Sequence, residues 1–169
     1  MSKFVLTLIL VVIITSIKTL LVDPSRCTGC RTCEMACSLY HEGKCSPVLS
    51  RMRIIKYEAL GKSYPSLCAQ CSKPKCQSAC PSGAIKPGER GTLTVDEALC
   101  TGCRTCLIAC TQIGFHPQKK VAFKCDLCGG EPQCARFCTS GAITFSGVDE
   151  FLMARRRAVA NKAVQAAQV

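Results

Sequence analysis

Apolar and polar positions divide the chain into stretches of different character. After Lys3, residues Phe4 to Ile17 form a run of 14 that is apolar apart from Thr7, Thr15 and Ser16. A membrane-spanning helix needs about 20 apolar residues, so this run is short for one. It has the length of a signal-peptide apolar region, yet no small-residue cleavage site follows it and no twin-arginine pair accompanies it. Three readings stand: a membrane anchor, a docking element for a partner, or translation assigned from an upstream start. The last two are favoured, which places the protein in the cytoplasm, with membrane association through this segment as the other outcome. Beyond it the pattern changes to short alternations. Thr19-Leu-Leu-Val-Asp23 and Thr92-Leu-Thr-Val-Asp96 each predict a short strand running into a turn. Gly83-Ala-Ile85 and Gly141-Ala-Ile143 predict two more strands, and Lys86 to Gly91 reads as a hairpin turn. Arg53 to Tyr57 is a further strand, turning at Gly61 toward Tyr64. Asp149 to Val169 predicts a helix with Asp149 as N-cap, a narrow apolar stripe of Phe151, Leu152, Val159 and Ala163, and a basic run at Arg155, Arg156 and Arg157. That helix either packs on its own domain or docks on a partner.

The same segments repeat. Residues 18–37 and 91–110 match at 13 of 20 positions without a gap, including the run C-T-G-C-R-T-C. Residues 68–85 and 125–143 also align, as C-A-Q-C-S-K-P-K-C-Q-S-A-C-P-S-G-A-I and C-D-L-C-G-G-E-P-Q-C-A-R-F-C-T-S-G-A-I. The chain therefore holds two kinds of half-motif, each present twice. Short helices are expected from the third to the fourth cysteine of each.

Composition sharpens this. Of 169 residues 17 are cysteine, 5% are aromatic and none is Trp. Aromatic side chains supply much of the buried area of ordinary cores, so another agent must hold the chain together. The apolar fraction of 48% excludes intrinsic disorder. Sixteen cysteines fall into four groups: Cys27, Cys30, Cys33, Cys37; Cys68, Cys71, Cys76, Cys80; Cys100, Cys103, Cys106, Cys110; and Cys125, Cys128, Cys134, Cys138. The first and third follow C-x2-C-x2-C-x3-C, and the others widen the second gap. Three thiolates so spaced converge on one centre, while the fourth, a helical turn on, points elsewhere. That is the ligand pattern of bacterial two-cluster ferredoxins, whose fourth cysteine binds the other cluster. A disulfide scaffold gives no reason for a three-then-one spacing repeated four times. Structural zinc commonly uses two separated pairs, so a zinc-stapled interaction module is the remote alternative. Sixteen ligands at four per cluster give four [4Fe-4S] clusters.

The order of half-motifs suggests which groups share clusters. A two-cluster ferredoxin runs C-P-S-G-A-I half, hairpin, V-D-x3-C-T-G-C half, which is the order of groups two and three. Groups four and one are left to form the second unit. Exchange of the fourth ligand then gives Cys27, Cys30, Cys33 with Cys138; Cys125, Cys128, Cys134 with Cys37; Cys68, Cys71, Cys76 with Cys110; and Cys100, Cys103, Cys106 with Cys80. The rival pairing, one with two and three with four, reverses the half-motif order in both units. The expected fold is α+β: two bacterial two-cluster ferredoxin-like units of short strands and helices around four clusters. Residues 1–17 are an appendage, 18–60 plus 115–148 the outer unit, 61–114 the inner unit, and 149–169 the C-terminal helix.

From about Lys18 to Phe145 the chain resembles the four-cluster electron-transfer subunits of the dimethyl sulfoxide reductase iron–sulfur family. The absence of long insertions, and the stretch S-P-V-L-S-R-M-R-I-I-K-Y-E-A-L-G-K-S-Y-P-S-L-C-A-Q-C, make it most similar to compact members that accompany tungsten aldehyde oxidoreductases, benzoyl-CoA reductases, hydrogenases and carbon monoxide dehydrogenases. The family's nested pairing agrees with the one above. Thr139 departs from the proline usual after the last cysteine, a backbone matter that removes no ligand. The resemblance implies an electron-transfer subunit, without an active site of its own, that serves a large catalytic redox subunit of the tungsten or molybdenum pterin type and a second electron donor or acceptor. A free polyferredoxin, or a subunit of a hydrogenase or carbon monoxide dehydrogenase, is the alternative.

Charge and the remaining residues fit this picture. The formal net charge is +11; four clusters at about −2 each bring the loaded protein to about +3. The basic excess thus offsets cluster charge, and no nucleic-acid motif accompanies it. Arg31 and Arg104, inside the repeated C-R-T-C, sit where a cation could raise a potential, or else are solvated surface arginines. Cys45 reads as a loop thiol outside the ligand set. His41 and His116 lack partners at ligand spacing and read as surface or turn histidines.

Overall fold

The computed structural model describes residues 18–88 and 91–166; the apolar run at 4–17 lies outside them. The described residues form two compact units, one of residues 22–143 and one of residues 18–21 with 144–166.

The strands are short and pair two by two. β1 (Thr19–Val22) lies beside β8 (Ile143–Ser146). In the larger unit, β2 (Arg53–Tyr57) pairs antiparallel with β3 (Lys62–Ser66), Ile54 opposite Pro65. The chain turns between them through Glu58–Leu60 and Gly61, as the sequence predicts. β4 (Ile85–Pro87) pairs with β5 (Leu93–Val95), Ile85 opposite Val95, which is the expected hairpin. β6 (Gly114–Phe115) pairs with β7 (Ala122–Phe123). The two half-motif kinds therefore pair in a nested way. The V-D strand of group one joins the G-A-I strand of group four, and the corresponding strands of groups two and three join each other. The same hydrogen bond closes both: Asp23 N–H donates to Ala142 O at 2.8 Å, and Asp96 N–H donates to Ala84 O at 2.8 Å.

A helix starts next to the third cysteine of every group. α1 spans Thr32–Glu42, α2 Lys75–Ser78, α3 Thr105–Ala109 and α4 Gln133–Arg136. α1 packs on α4 and α2 on α3, again outer with outer and inner with inner. α1 runs on past Cys37 until Gly43, at φ +64°, caps it in left-handed backbone. Its buried side is Cys33, Glu34, Cys37 and Ser38, recurring at helical spacing. Glu34 is buried because Ile54 N–H donates to its carboxylate at 2.8 Å, tying α1 to β2. In the smaller unit, α5 (Val148–Ala166) begins one residue before Asp149. Asp149 is thus in the first turn, where its charge still favours the helix dipole, and Phe151 N–H donates to Gly147 O. Leu152 and Val159 of its predicted stripe are exposed.

Sulfur makes up much of the core. Among the described residues, 8 of the 19 buried hydrophobic side chains are cysteines. The inner half centres on Cys76 and Cys106, packed with Ile85, Ile113 and Ala122.

The two C-T-G-C turns carry equivalent glycines in unequal surroundings. Gly29 and Gly102 both have φ +70°. A methyl group at Gly29 meets the Ser63 hydroxyl, which can rotate aside, whereas one at Gly102 meets the backbone carbonyl of Lys120 at 2.5 Å. Gly29→Ala is expected to cost about 1–2 kcal/mol from left-handed strain, and Gly102→Ala about 2–4 kcal/mol because overpacking adds to it. Thermal unfolding of the loaded protein under nitrogen checks the order of midpoints: wild type, then Gly29→Ala, then Gly102→Ala.

Candidate metal centres

Two left-handed residues bend each C-T-G-C-R-T-C run: Gly29 with Arg31 (φ +61°), and Gly102 with Arg104 (φ +64°). Each arginine directly precedes the helix that carries the third cysteine. The two guanidinium groups are held differently. Arg31 Nε lies 3.8 Å from Glu34 Oε2, and Arg104 stacks 4.2 Å from the Phe115 ring centroid.

The folded chain brings cysteines from distant groups together. Cys27, Cys30, Cys33 and Cys138 line one cavity of about 290 Å³, its mouth included, with apolar wall from Ile54, Pro65, Phe137 and Ile143. Elsewhere proximity shows in how the sulfurs influence one another. Cys134 interacts electrostatically with Cys125, Cys37 and Cys128, and also with Cys33. Cys76 interacts with Cys110 and Cys68, and Cys106 with Cys100, Cys80 and Cys103. Cys125 and Cys68, from groups four and two, also interact. Cys71 is exposed, as are Cys30 and Cys103, and so is Cys45, the expected loop thiol.

All 17 cysteines are free thiols, and each of these neighbourhoods gathers sulfurs from two groups. Soft sulfur donors gathered in this way fit an iron–sulfur cluster. Donors aimed at the sulfurs strengthen the fit. Backbone N–H groups of Arg51, Ala122 and Ile143 donate to Cys37, Cys100 and Cys138 at 3.3, 3.4 and 3.3 Å. Thr32 and Thr105 hydroxyls donate to Cys30 and Cys103, each at 3.4 Å. Ser82 and Ser140 lie 3.6 Å from Cys80 and Cys138. These pairs occupy matching repeat positions, and sequence reasoning misses them because Ser and Thr near a turn look like ordinary turn residues. Their recurrence at the same offset from a cysteine is the signal that could have found them.

Burial and hydrogen bonding pull the thiols in opposite directions. Burial pushes Cys33 and Cys125 up to about 12 and Cys128 up to about 11, and it raises Cys134 as well. Iron binding must displace these protons, so loading the sites releases acid. At the surface the Thr32 and Thr105 hydroxyls, with backbone N–H groups, hold Cys30 and Cys103 below the ordinary thiol range. Cys80 ends below it too: burial raises it, and Ser82 with the Ala84 and Ile85 amides outweighs that.

The histidines are not surface residues. The His41 side chain is buried, with Nε2 3.6 Å from Cys128 Sγ and 3.4 Å from Asp126 Oδ1. Burial lowers its pKa, and the nearby Arg51 charge adds to that; Arg51 itself pairs with Asp126 at 2.9 Å. His116 is buried as well, its Nδ1 accepting from the Gln118 and Lys119 amides and its Nε2 lying 3.4 Å from Glu42 Oε2. Neither pairing is visible at short sequence range, since His41 meets residues 126 and 128 and His116 meets residue 42.

Comparison with known proteins follows this geometry. The family model of the 4Fe-4S dicluster domain matches residues 61–148, and that of a 4Fe-4S binding domain matches residues 18–39. The polyferredoxin-like subunit of aliphatic sulfonate oxidoreductase from Pyrococcus furiosus is 40% identical over 124 residues, covering 70% of each chain. The B subunit of anaerobic dimethyl sulfoxide reductase from Escherichia coli K12 is 36% identical over 151 residues, covering 76% of this chain and 73% of that one. Among solved structures, the BamBC active-site complex of benzoyl-coenzyme A reductase aligns with a TM-score of 0.47 and 24% identity, covering 77% of this chain and 76% of that one. No helix among the described residues is long and apolar enough to cross a membrane.

Replacing Thr32 and Thr105 by Val removes hydroxyls that favour the more negative, reduced state. Each substitution is expected to lower one cluster potential by roughly 20–50 mV, a fraction of a hydrogen bond to a charged group. Redox titration followed by electron paramagnetic resonance checks it.

Proposed function

The chain belongs to the 4Fe-4S dicluster domain family, and on that footing we propose that it relays electrons through four [4Fe-4S] clusters to or from the catalytic subunit of an oxidoreductase. Its relatives in Pyrococcus furiosus and Escherichia coli are subunits of such enzymes by name. The observation that carries the proposal is the gathering of sulfurs from distant groups, Cys138 beside Cys30 and Cys33 being the clearest.

The proposed ligand sets are Cys27, Cys30, Cys33 with Cys138; Cys125, Cys128, Cys134 with Cys37; Cys68, Cys71, Cys76 with Cys110; and Cys100, Cys103, Cys106 with Cys80. The nested strand pairs and the mutual influence of the sulfurs support them. The outer and inner ferredoxin-like units follow from the same pairing. Neighbouring sets lie in series: Cys33 influences Cys134, Cys125 influences Cys68, and Cys76 shares one core with Cys106. Bound clusters supply one-electron chemistry. The chain's own residues hold them, screen them from water and set their potentials through hydrogen bonds and burial. Four thiolates per cluster leave no open iron position, so the chain conducts and its partner catalyses. The partner is a tungsten or molybdenum pterin oxidoreductase, and a second protein donates or accepts the electrons at the other end.

Purification without oxygen is expected to yield about sixteen iron and sixteen sulfide per chain; bound zinc without sulfide overturns the proposal. Cys80→Ala is expected to remove the spectroscopic signature of the cluster held by Cys100, Cys103 and Cys106 while sparing that of the Cys68 site. Loss confined to the Cys68 site refutes the ligand exchange.

A further inference from the structure

Lys124 is among the largest fully buried side chains, with 2% of its surface exposed. Its ammonium donates to Leu93 O at 2.6 Å, Cys125 O at 3.0 Å and Gln70 Oε1 at 3.3 Å. All three acceptors are neutral, and among the described residues no carboxylate pairs with it. A buried charge without a counter-charge costs several kcal/mol, and a negative group close by would offset that cost.

The surroundings show where. Gln70 stands between Cys68 and Cys71 in left-handed backbone, φ +47°. Its amide donates to Cys125 O at 2.7 Å and its carbonyl accepts from Leu93 N–H at 3.3 Å. Gln70 and Lys124 thus clasp the loop of group two to the first cysteine of group four. Cys125 and Cys68 influence each other across this clasp, and the Lys124 charge reaches Cys76.

We propose that Lys124 is a fixed positive charge seated between the two middle clusters, where it raises the reduction potential of both. The inference rests on the ligand sets proposed above. A cluster with four thiolates carries about −2 when oxidised and about −3 when reduced, and a cation in a low-dielectric site stabilises the more negative state. Lys124 therefore acts as a positioning charge, and by acting on both clusters it raises their potentials together and leaves the difference between them little changed. A lysine that merely braced three carbonyls would affect stability alone.

The test is a redox titration of the full chain, loaded and purified without oxygen, followed by electron paramagnetic resonance. In Lys124→Met, which keeps the length of the side chain and removes its charge, two of the four clusters are expected to titrate at lower potential, with the other two unmoved and the iron content equal to wild type. Four unchanged potentials overturn the proposal, as does an equal shift of all four. Should Lys124→Met not accumulate, Lys124→Gln carries the same test, since it keeps a hydrogen-bond donor for the carbonyls and removes the charge, with the same two potentials expected to fall and the same outcomes overturning it. A wild-type chain lacking iron and sulfide instead removes the cluster reading, and this proposal with it.

Discussion

A buried thiolate is unstable unless something positive binds it, and this chain buries cysteine where other proteins bury leucine or phenylalanine. With few aromatic residues and a core rich in sulfur, the interior cannot be closed by apolar contact alone. The short paired strands and single-turn helices are too small to persist by themselves. They are held by whatever the sulfurs grip, and so metal binding and folding are one equilibrium here.

Duplication supplies the frame, and divergence after it supplies the differences between sites. The two C-T-G-C-R-T-C runs are identical, but one arginine meets a carboxylate and the other an aromatic ring. One helix continues for 11 residues and the other for 5. His41 lies against Cys128, whereas Cys80 and Cys138 have serine neighbours. Matching cysteine groups therefore sit in unequal electrostatic settings, which is how one fold can tune otherwise alike metal sites differently.

What was legible in the sequence was local or repeated. The β4–β5 hairpin, the turn at Gly61 and a helix at each third cysteine are written in spacings of a few residues. The nested pairing of the strands was legible because half-motifs have an order. Long-range partners of single residues were not. The burial of His41 and His116 depends on Asp126 and Glu42, far away in sequence. Lys124 reads as an ordinary lysine until one notices that it interrupts a buried run, Ala122 and Phe123 before it and Cys125 after it. The exposure of Leu152 and Val159 on α5 was likewise unreadable, since an apolar stripe states what could be covered and not whether anything covers it.

The nested strand pairs also impose a timetable on biosynthesis. The link from Asp96 to Ala84 is complete soon after residue 96 has emerged, whereas that from Asp23 to Ala142 waits for residue 142. Closing a loop about ten times longer costs about 2 kcal/mol more in chain entropy. A ribosome releasing this polypeptide thus presents the β4–β5 link already closed while Cys27 to Cys37 still wait for the β8 strand that pairs with β1. The Cys27 to Cys37 thiols thus wait longer for their strand partner than those of the inner groups, which makes them the more vulnerable during maturation.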